Sequence, residues 1–304
     1  MLLPLKPSEA KFVLLRPGYA TRRIASELKN AGVIRSSSAF LIWHYFHRQR
    51  SLKAGEYLFE RSADIREVHD RLSRGDIFVH TVVIPEGYTM FDIAQAVQDS
   101  GLGNREEFLN IVKSNVGLIS DLDPQAISLE GYLFPDTYHF TRAQSLSEVV
   151  REMVKRFRKE ANAIGLNEDV HRVVTMASIV EKETAVPEER PMVAGVYYNR
   201  LAKRIALDAD PSVIYAKLLD GSYQGVLRHE DMRVNSPYNT YRHPGLPPGP
   251  IGNPGRSSLE AAMRPAKSDY YYFVSDGNGR HRFSHSLEEH NRNVAALRRL
   301  VRGR

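Results

Sequence analysis

The chain has 304 residues, of which 42% are hydrophobic, carries a net charge of +6 and contains no cysteine. Such a chain can bury a core in one large domain or in two to three smaller ones, and it is not intrinsically disordered. The missing cysteines exclude disulfides and thiolate zinc sites.

The basic balance admits nucleic acid, anionic lipid or an anionic polymer such as cell-wall glycan as partner, beside an ordinary solvated surface. The longest uncharged apolar run, about Ala39 to Phe46 and interrupted by His44, is far short of a membrane span. The N-terminus, Met1 to Pro7, lacks the apolar core of a signal peptide.

In chain order, the first half holds an internal repeat at an offset of 69 residues. Val13, Gly18, Tyr19, Ile24, Ala25 and Gly32 recur as Val82, Gly87, Tyr88, Ile93, Ala94 and Gly101. Each copy opens with a β-prone run, Lys11 to Arg16 and then His80 to Ile84. A helix-period segment follows, Thr21 to Ala31 and then Thr89 to Ser100, closed by Gly32 or Gly101 at a C-cap position. Second helices are expected over Ser36 to His47 and Asn104 to Lys113. Return strands are expected at Gly55 to Phe59 and Gly131 to Phe134, with helices near Ser62 to Leu72 and Ser145 to Lys159. The pattern is two β-α-α-β-α units.

The second half reads differently. From Val170 to Thr184 the pattern is helical, with Val170, Val174, Ala177 and Glu181 on one face and Val173 and Val180 beside them. Glu181 therefore stands where a core residue is expected. A buried carboxyl has a raised pKa, and one that stays protonated near neutrality can act as a general acid. A solvated last-turn glutamate is the plain alternative, and Lys182 and Glu183 read as solvated.

Thr184 is expected to cap a helix entered at Pro187 and running to about Lys203. Asp210-Pro211 reads as an N-cap pair opening a helix over Ser212 to Leu219. The irregular segment from Arg233 to Arg256 is rich in Pro, Tyr and Asn, which suits either a sugar-lined wall or a proline-stiffened crossover. Ser257-x-x-Glu260 reads as a capping box for the next helix. Tyr270 to Val274 and His281 to His285 form a hairpin about Asp276-Gly277-Asn278-Gly279. Ser286-x-x-Glu289 caps a last helix that carries Arg292, Arg298, Arg299, Arg302 and Arg304.

No His-Glu-x-x-His, phosphate-binding glycine loop, serine elbow or nucleic-acid module occurs. No metal, cofactor or nucleic acid is expected.

Five blocks carry a resemblance. They are Leu129-Glu130-Gly131 through Tyr138, Ala177 through Thr184, and Asp210-Pro211-Ser212 through Tyr215. The fourth is Ser236 through Tyr241 with Gly245 through Ile251, and the fifth is Tyr272 through Gly277 leading to His290-Asn291. Together, and in this order, they resemble the YceG-like family of endolytic murein transglycosylases.

The resemblance implies an α+β fold, with N-terminal LysM-like β-α-α-β units followed by a mixed α/β catalytic domain. The expected division is 1–79, 80–160 and 161–304. The implied reaction cuts the β-1,4 bond between N-acetylmuramic acid and N-acetylglucosamine in nascent peptidoglycan strands, leaving 1,6-anhydromuramoyl ends. It places the catalytic glutamate at Glu181; Glu183, Asp210, Tyr238, Asn239, Thr240 and Glu130 are the candidate substrate contacts. A lytic transglycosylase needs one carboxyl, whereas most glycosidases need two.

Peptidoglycan strands are the implied partner, with peptidoglycan synthases as candidate company, and the implied place is the periplasmic face of the inner membrane. The family's turn is intact at Ile84-Pro85-Glu86-Gly87 and altered at Leu15-Arg16-Pro17-Gly18. No membrane helix precedes it, so membrane association is expected through a segment not present in this chain. Two other readings stay open. One is a muramidase-type hydrolase with Glu183 or Asp210 as second carboxylate, and the other is a non-catalytic glycan-binding scaffold.

Overall fold

A computed structural model describes residues 10–60 and 64–302, with side chains through residue 300. Among the described residues the chain is mixed α+β, with eleven α-helices and three two-stranded sheets. The first repeat runs β1 (Lys11–Leu15), α1 (Thr21–Asn30), α2 (Ser37–Phe46), β2 (Gly55–Phe59) and α3 (Ile65–Arg74). The second runs β3 (His80–Val83), α4 (Met90–Asp99), α5 (Arg105–Ser114), β4 (Thr137–Phe140) and α6 (Leu146–Ile164). Both copies thus take the order β-α-α-β-α. In both, the glycine after the first helix is left-handed, Gly32 at φ 73° and Gly101 at φ 72°, as a C-terminal turn without a Cβ penalty requires. The expected start of the third helix at Ser62, and Arg304 at the far end, lie outside the described residues.

The chain forms two compact units. One comprises the described residues up to Val82 together with Val97–Gly103 and Thr137–Val149. Here β1 and β2 pair antiparallel from Lys11↔Phe59 to Leu15↔Gly55. Val13, Leu15, Tyr57 and Phe59 from this ribbon pack with Ile24 and Leu28 of α1, Phe40 of α2 and Val68 and Leu72 of α3. An isolated two-stranded ribbon is marginal in water, so the three helices supply the core that makes it stable. Glu56 is buried on the ribbon, and its charge is met by Arg142 Nη1 at 3.0 Å and His80 Nε2 at 2.6 Å.

The other unit comprises Val83–Ala96, Asn104–Asp136 and the described residues from Val150 onward. Its centre is α7 (Val170–Glu183), which packs against α8 (Arg190–Ala202), α9 (Asp210–Leu219) and α10 (Arg256–Met263). The hairpin of β5 (Tyr272–Ser275) and β6 (His281–Ser284) packs on α11 (Leu287–Arg302), and β5 also touches α8.

Local expectations fail where tertiary packing overrides them. Gly131 to Phe134 is a buried turn rather than the return strand, which forms later as β4. The reason is close approach: Gly131 sits at φ 89°, and a Cβ there would lie 2.5 Å from Pro250 Cγ and 2.8 Å from Val174 Cγ1. Ser257 lies inside α10, whose N-cap is Gly255, so the capping box expected there does not form. Asp210 is the first residue of α9 and Ala209 is its N-cap, so Asp210 is not the cap the sequence implies. Thr184 ends α7, and its hydroxyl accepts the Val186 N–H at 3.1 Å before a 3-10 turn, Pro187–Glu189, leads into α8. The final cap is partly as read: Ser286 Oγ accepts the Glu289 N–H at 3.2 Å, while the Glu289 carboxylate reaches the His285 N–H at 2.9 Å.

Gly131→Ala tests the close approach. It combines a left-handed φ with overpacking, and should cost about 2 kcal/mol or more in urea unfolding. A change within about 0.5 kcal/mol, the range of ordinary surface substitutions, would show that the turn is not pinned there.

Candidate active site

The site begins with the burial of α7. Every residue from Val173 to Val180 is buried, so this helix has no solvated side along that stretch. A helix enclosed on all sides can expose charge only at its end. Two glutamates leave that end in different directions, and each meets different partners.

Glu181 is held by donors on both oxygens. Arg190 Nη2 donates to its Oε1 at 2.7 Å, and the Gly255 N–H donates to its Oε2 at 2.9 Å. The side chains are almost fully enclosed, at 4% exposure for Glu181 and 6% for Arg190. Burial raises the Glu181 pKa, while the Gly255 N–H and the Arg190 charge oppose the rise. Arg190 also pairs with half-exposed Glu86 at 3.4 Å. Glu181 thereby joins the ends of α7, α8 and α10.

Glu183, which the sequence reads as a solvated end residue, is half-buried instead. Its carboxyl is enclosed against α8, where the Tyr197 hydroxyl donates to Oε1 at 2.8 Å. Burial pushes its pKa up from 4.5 to about 6; the Asp210 charge adds to the rise and the Tyr197 hydrogen bond opposes it. Glu183 also lines a cavity of about 350 Å³ walled by Tyr197, Arg200, Asp208, Asp210, Tyr241 and His290, among others.

The cavity walls are themselves braced. The Tyr241 hydroxyl donates to Asp210 Oδ1 at 2.5 Å. Arg200 pairs with Asp208, donates to the Ala206 carbonyl at 2.8 Å and lies 5.5 Å over the Tyr272 ring. Asp208 is held at φ 51°, a strained backbone for a residue with a side chain. His290 stacks on Tyr272 at 5.3 Å and keeps a buried Nδ1 with no partner among the described residues. The site therefore combines two raised-pKa carboxyls, Glu183 and Asp208, with the Asp210 carboxyl, phenol and guanidinium donors and aromatic faces. Such a surface can bind a polar, hydroxylated ligand and move a proton at one point.

The other residues singled out from the sequence are dispersed. Asn239 is a brace within the loop, its Nδ2 donating to the Met232 and Val234 carbonyls at 3.0 and 2.8 Å. Thr240 Oγ1 accepts the Ala209 N–H at 3.0 Å and shares a hydrogen bond with Ser212 Oγ at 2.9 Å, which makes it the external cap of α9. Tyr238 packs on Tyr215 at 5.1 Å. Glu130 accepts the Met90 N–H at 2.9–3.0 Å and Asn253 Nδ2 at 2.7 Å, and burial pushes its pKa to about 7. It serves the start of α4. From the Pro-rich loop it is Tyr241 that lines the cavity; Tyr238, Asn239 and Thr240 do not.

Sequence reasoning does not pick out Arg200, Asp208 or Tyr241. A signal was present in the uncharged run Val173 to Val180, because eight such residues leave no room for a solvated stripe.

Comparison with known proteins agrees with this architecture. The profile described as the YceG-like family matches residues 13–296. An endolytic murein transglycosylase of Bacillus subtilis (strain 168) is 34% identical over 297 residues, covering 90% of this chain and 81% of that protein. An endolytic murein transglycosylase of Streptococcus pneumoniae (strain D39) is 30% identical over 97% of this chain, which spans only 60% of that protein's length. The crystal structure of a putative YceG-like protein of Listeria monocytogenes superposes with a TM-score of 0.61 at 34% identity, covering 94% of this chain and 99% of that one. The chain belongs to the YceG-like family, whose curated relatives are enzymes of the lytic transglycosylase class.

Proposed function

We propose that this chain is an endolytic peptidoglycan lytic transglycosylase. It cuts the β-1,4 bond between N-acetylmuramic acid and N-acetylglucosamine in nascent strands and leaves 1,6-anhydromuramoyl ends. Glu183 is its general acid and base. The observation that carries this reading is one carboxyl, raised to about 6, on the wall of a polar and aromatic cavity.

The resemblance puts this role on Glu181. The hydrogen bonding favours its neighbour two residues on. Arg190 and the Gly255 N–H each donate to Glu181, one to each oxygen, and both oppose the rise that burial gives its pKa. Glu183 has one oxygen engaged by Tyr197, which leaves Oε2 to hold the proton.

In the proposed reaction, Glu183 gives that proton to the glycosidic oxygen as the C1–O bond of N-acetylmuramic acid breaks. The sugar's own C6 hydroxyl then closes on C1 and returns its proton to the Glu183 carboxylate. No water is consumed, and the enzyme regains its starting protonation. A raised pKa suits both halves, because the group must be able to give the proton and then take it back.

The β-α-α-β order supports reading residues 1–79 as an N-terminal α/β subdomain and 80–160 as a LysM-like second repeat unit, ahead of a catalytic part, 161–304. Peptidoglycan strands are the partner in this reading, peptidoglycan synthases are candidate company, and the place of action is the periplasmic face of the inner membrane.

One observation favours a second reading. Asp210 lines the same cavity as Glu183, and paired carboxylates are what hydrolysing glycosidases use. Cleavage in ¹⁸O-labelled water separates the two. Anhydro ends without label are expected, and stoichiometric label at the new muramic acid end would establish a hydrolase.

Glu183→Gln should fold and lose muropeptide release by at least ~10²-fold. Because ionised Glu183 is disfavoured in the fold, this variant should also be more stable than the parent above pH 6. The gain, on the order of 2 kcal/mol at about 1.4 kcal/mol per pKa unit, should vanish below the ordinary pKa of 4.5, where both proteins are neutral at that position. Equal activity of the variant and the parent would remove Glu183 from the chemistry.

Glu181→Gln should act mainly on stability, because it leaves Arg190 buried beside a weakened partner. Losing one member of a buried pair costs about 3–5 kcal/mol, and a neutral isostere that keeps some hydrogen bonding should fall at or below the lower end. A stable Glu181→Gln protein without cleavage activity would return the catalytic role to Glu181.

A further inference from the structure

Helix α2 (Ser37–Phe46) carries an apolar face that the core does not use. Phe40 is fully buried, and Leu41 and Trp43 lean on the same core. On the other side Ile42, Tyr45 and Phe46 are 61%, 64% and 75% exposed. These three lie at spacings of three and four, so they form one outward patch on the helix. Single exposed apolar residues need no explanation, but three large ones together on one helical face do.

The charge around the patch is of one sign along the chain. Between Glu27 and Glu56 there is no carboxylate, while Lys29, Arg35, Arg48, Arg50 and Lys53 fall in the interval. Arg48 lies 5.6 Å over the Tyr45 ring, and Arg66 of α3 lies 5.3 Å over the Trp43 ring. The helix packed against α2, α3, carries the carboxylates Glu67 and Asp70, and Asp70 pairs with Arg50 in the open at 2.7 Å. Aromatic rings interleaved with guanidinium groups suit the boundary between lipid headgroups and acyl chains. A ten-residue helix spans about 15 Å, half of a hydrocarbon core, so it would lie along a membrane surface rather than cross it.

We propose that the exposed face of α2 docks onto an anionic lipid bilayer, with Ile42, Tyr45 and Phe46 entering the interface and Arg48 and its neighbours meeting lipid phosphates. Ile42 and Phe46 offer nothing to sugar hydroxyls, and a convex helix face offers no groove for a glycan strand. Lipid is therefore the better match than glycan. No residue of this face lines the Glu183 cavity, so the inference stands independently of the catalytic reading.

Trp43, the only tryptophan of the chain, sits on this helix and reports on it directly. The experiment titrates the full chain with vesicles of phosphatidylcholine alone and of phosphatidylcholine with phosphatidylglycerol, at constant pH, following Trp43 emission and cosedimentation. With the anionic vesicles a blue shift is expected, and brominated acyl chains should quench it. Ile42→Ser combined with Phe46→Ser should lower the bound fraction about tenfold or more without lowering the melting temperature, since both side chains are exposed. Raised salt should weaken binding of the parent.

Absence of vesicle binding, or binding indifferent to the double substitution, would overturn the proposal. So would a concentration-dependent dimer that the double substitution abolishes, which would give the face to a second copy of the chain. Loss of sacculus binding in the double variant with vesicle binding intact would give it to glycan instead.

Discussion

The enclosure of α7 is the constraint on which the rest of its compact unit depends. A helix buried from Val173 to Val180 must be covered on every side, and α8, α9 and α10 supply that cover. Ser178 shows how the polar groups are accommodated: its hydroxyl turns back to the Thr175 carbonyl at 2.7 Å and accepts the Ile251 N–H at 3.0 Å. The Pro-rich segment is thereby fastened to the helix it encloses. Carboxylates at the end of such a helix cannot simply enter water, so each must be paired or neutralised.

The two glutamates answer that demand in opposite ways. Glu181 is given a guanidinium and a backbone donor, and its charge becomes a junction of three helices. Glu183 is given a phenol and a neighbouring negative charge, which leaves its ionised form poorly supported. Burial raises the pKa of both carboxyls; a guanidinium and a backbone N–H oppose the rise at Glu181, and a phenol opposes it at Glu183. Glu130 is another buried carboxyl raised to about 7; it accepts from the Met90 N–H at the start of α4 and from Asn253, and it shares a hydrogen bond with Tyr215. A raised pKa alone does not mark a catalytic group; access to a cavity separates Glu183 from Glu130.

The loop from Arg233 to Arg256 is equally divided. Asn239 and Thr240 spend their polar atoms on the loop backbone and on the start of α9. That bracing lets Tyr241 reach Asp210 and form part of the cavity wall. The residues most conspicuous in the sequence are thus the supports, and a less conspicuous tyrosine is presented to the ligand space.

The sequence by itself determined the repeated β-α-α-β-α order and the family, and it drew attention to the end of α7 as a candidate site. These rest on signals that are local or periodic: strand and helix periods, glycines at left-handed positions, and ordered blocks of residues. Tertiary structure alone decided which glutamate is clamped and which faces the cavity, because Arg190, Gly255, Tyr197 and Asp210 come from other elements. It likewise moved the return strand from Gly131 to Thr137, since the clash that forbids a side chain at Gly131 involves Pro250 and Val174, both distant in sequence. A periodic reading of α7 assumes one buried face and one wet face, and that assumption failed because the helix is covered all round. A residue's position along a helix can be read from the chain, but its partners, and hence its charge state, belong to the packing.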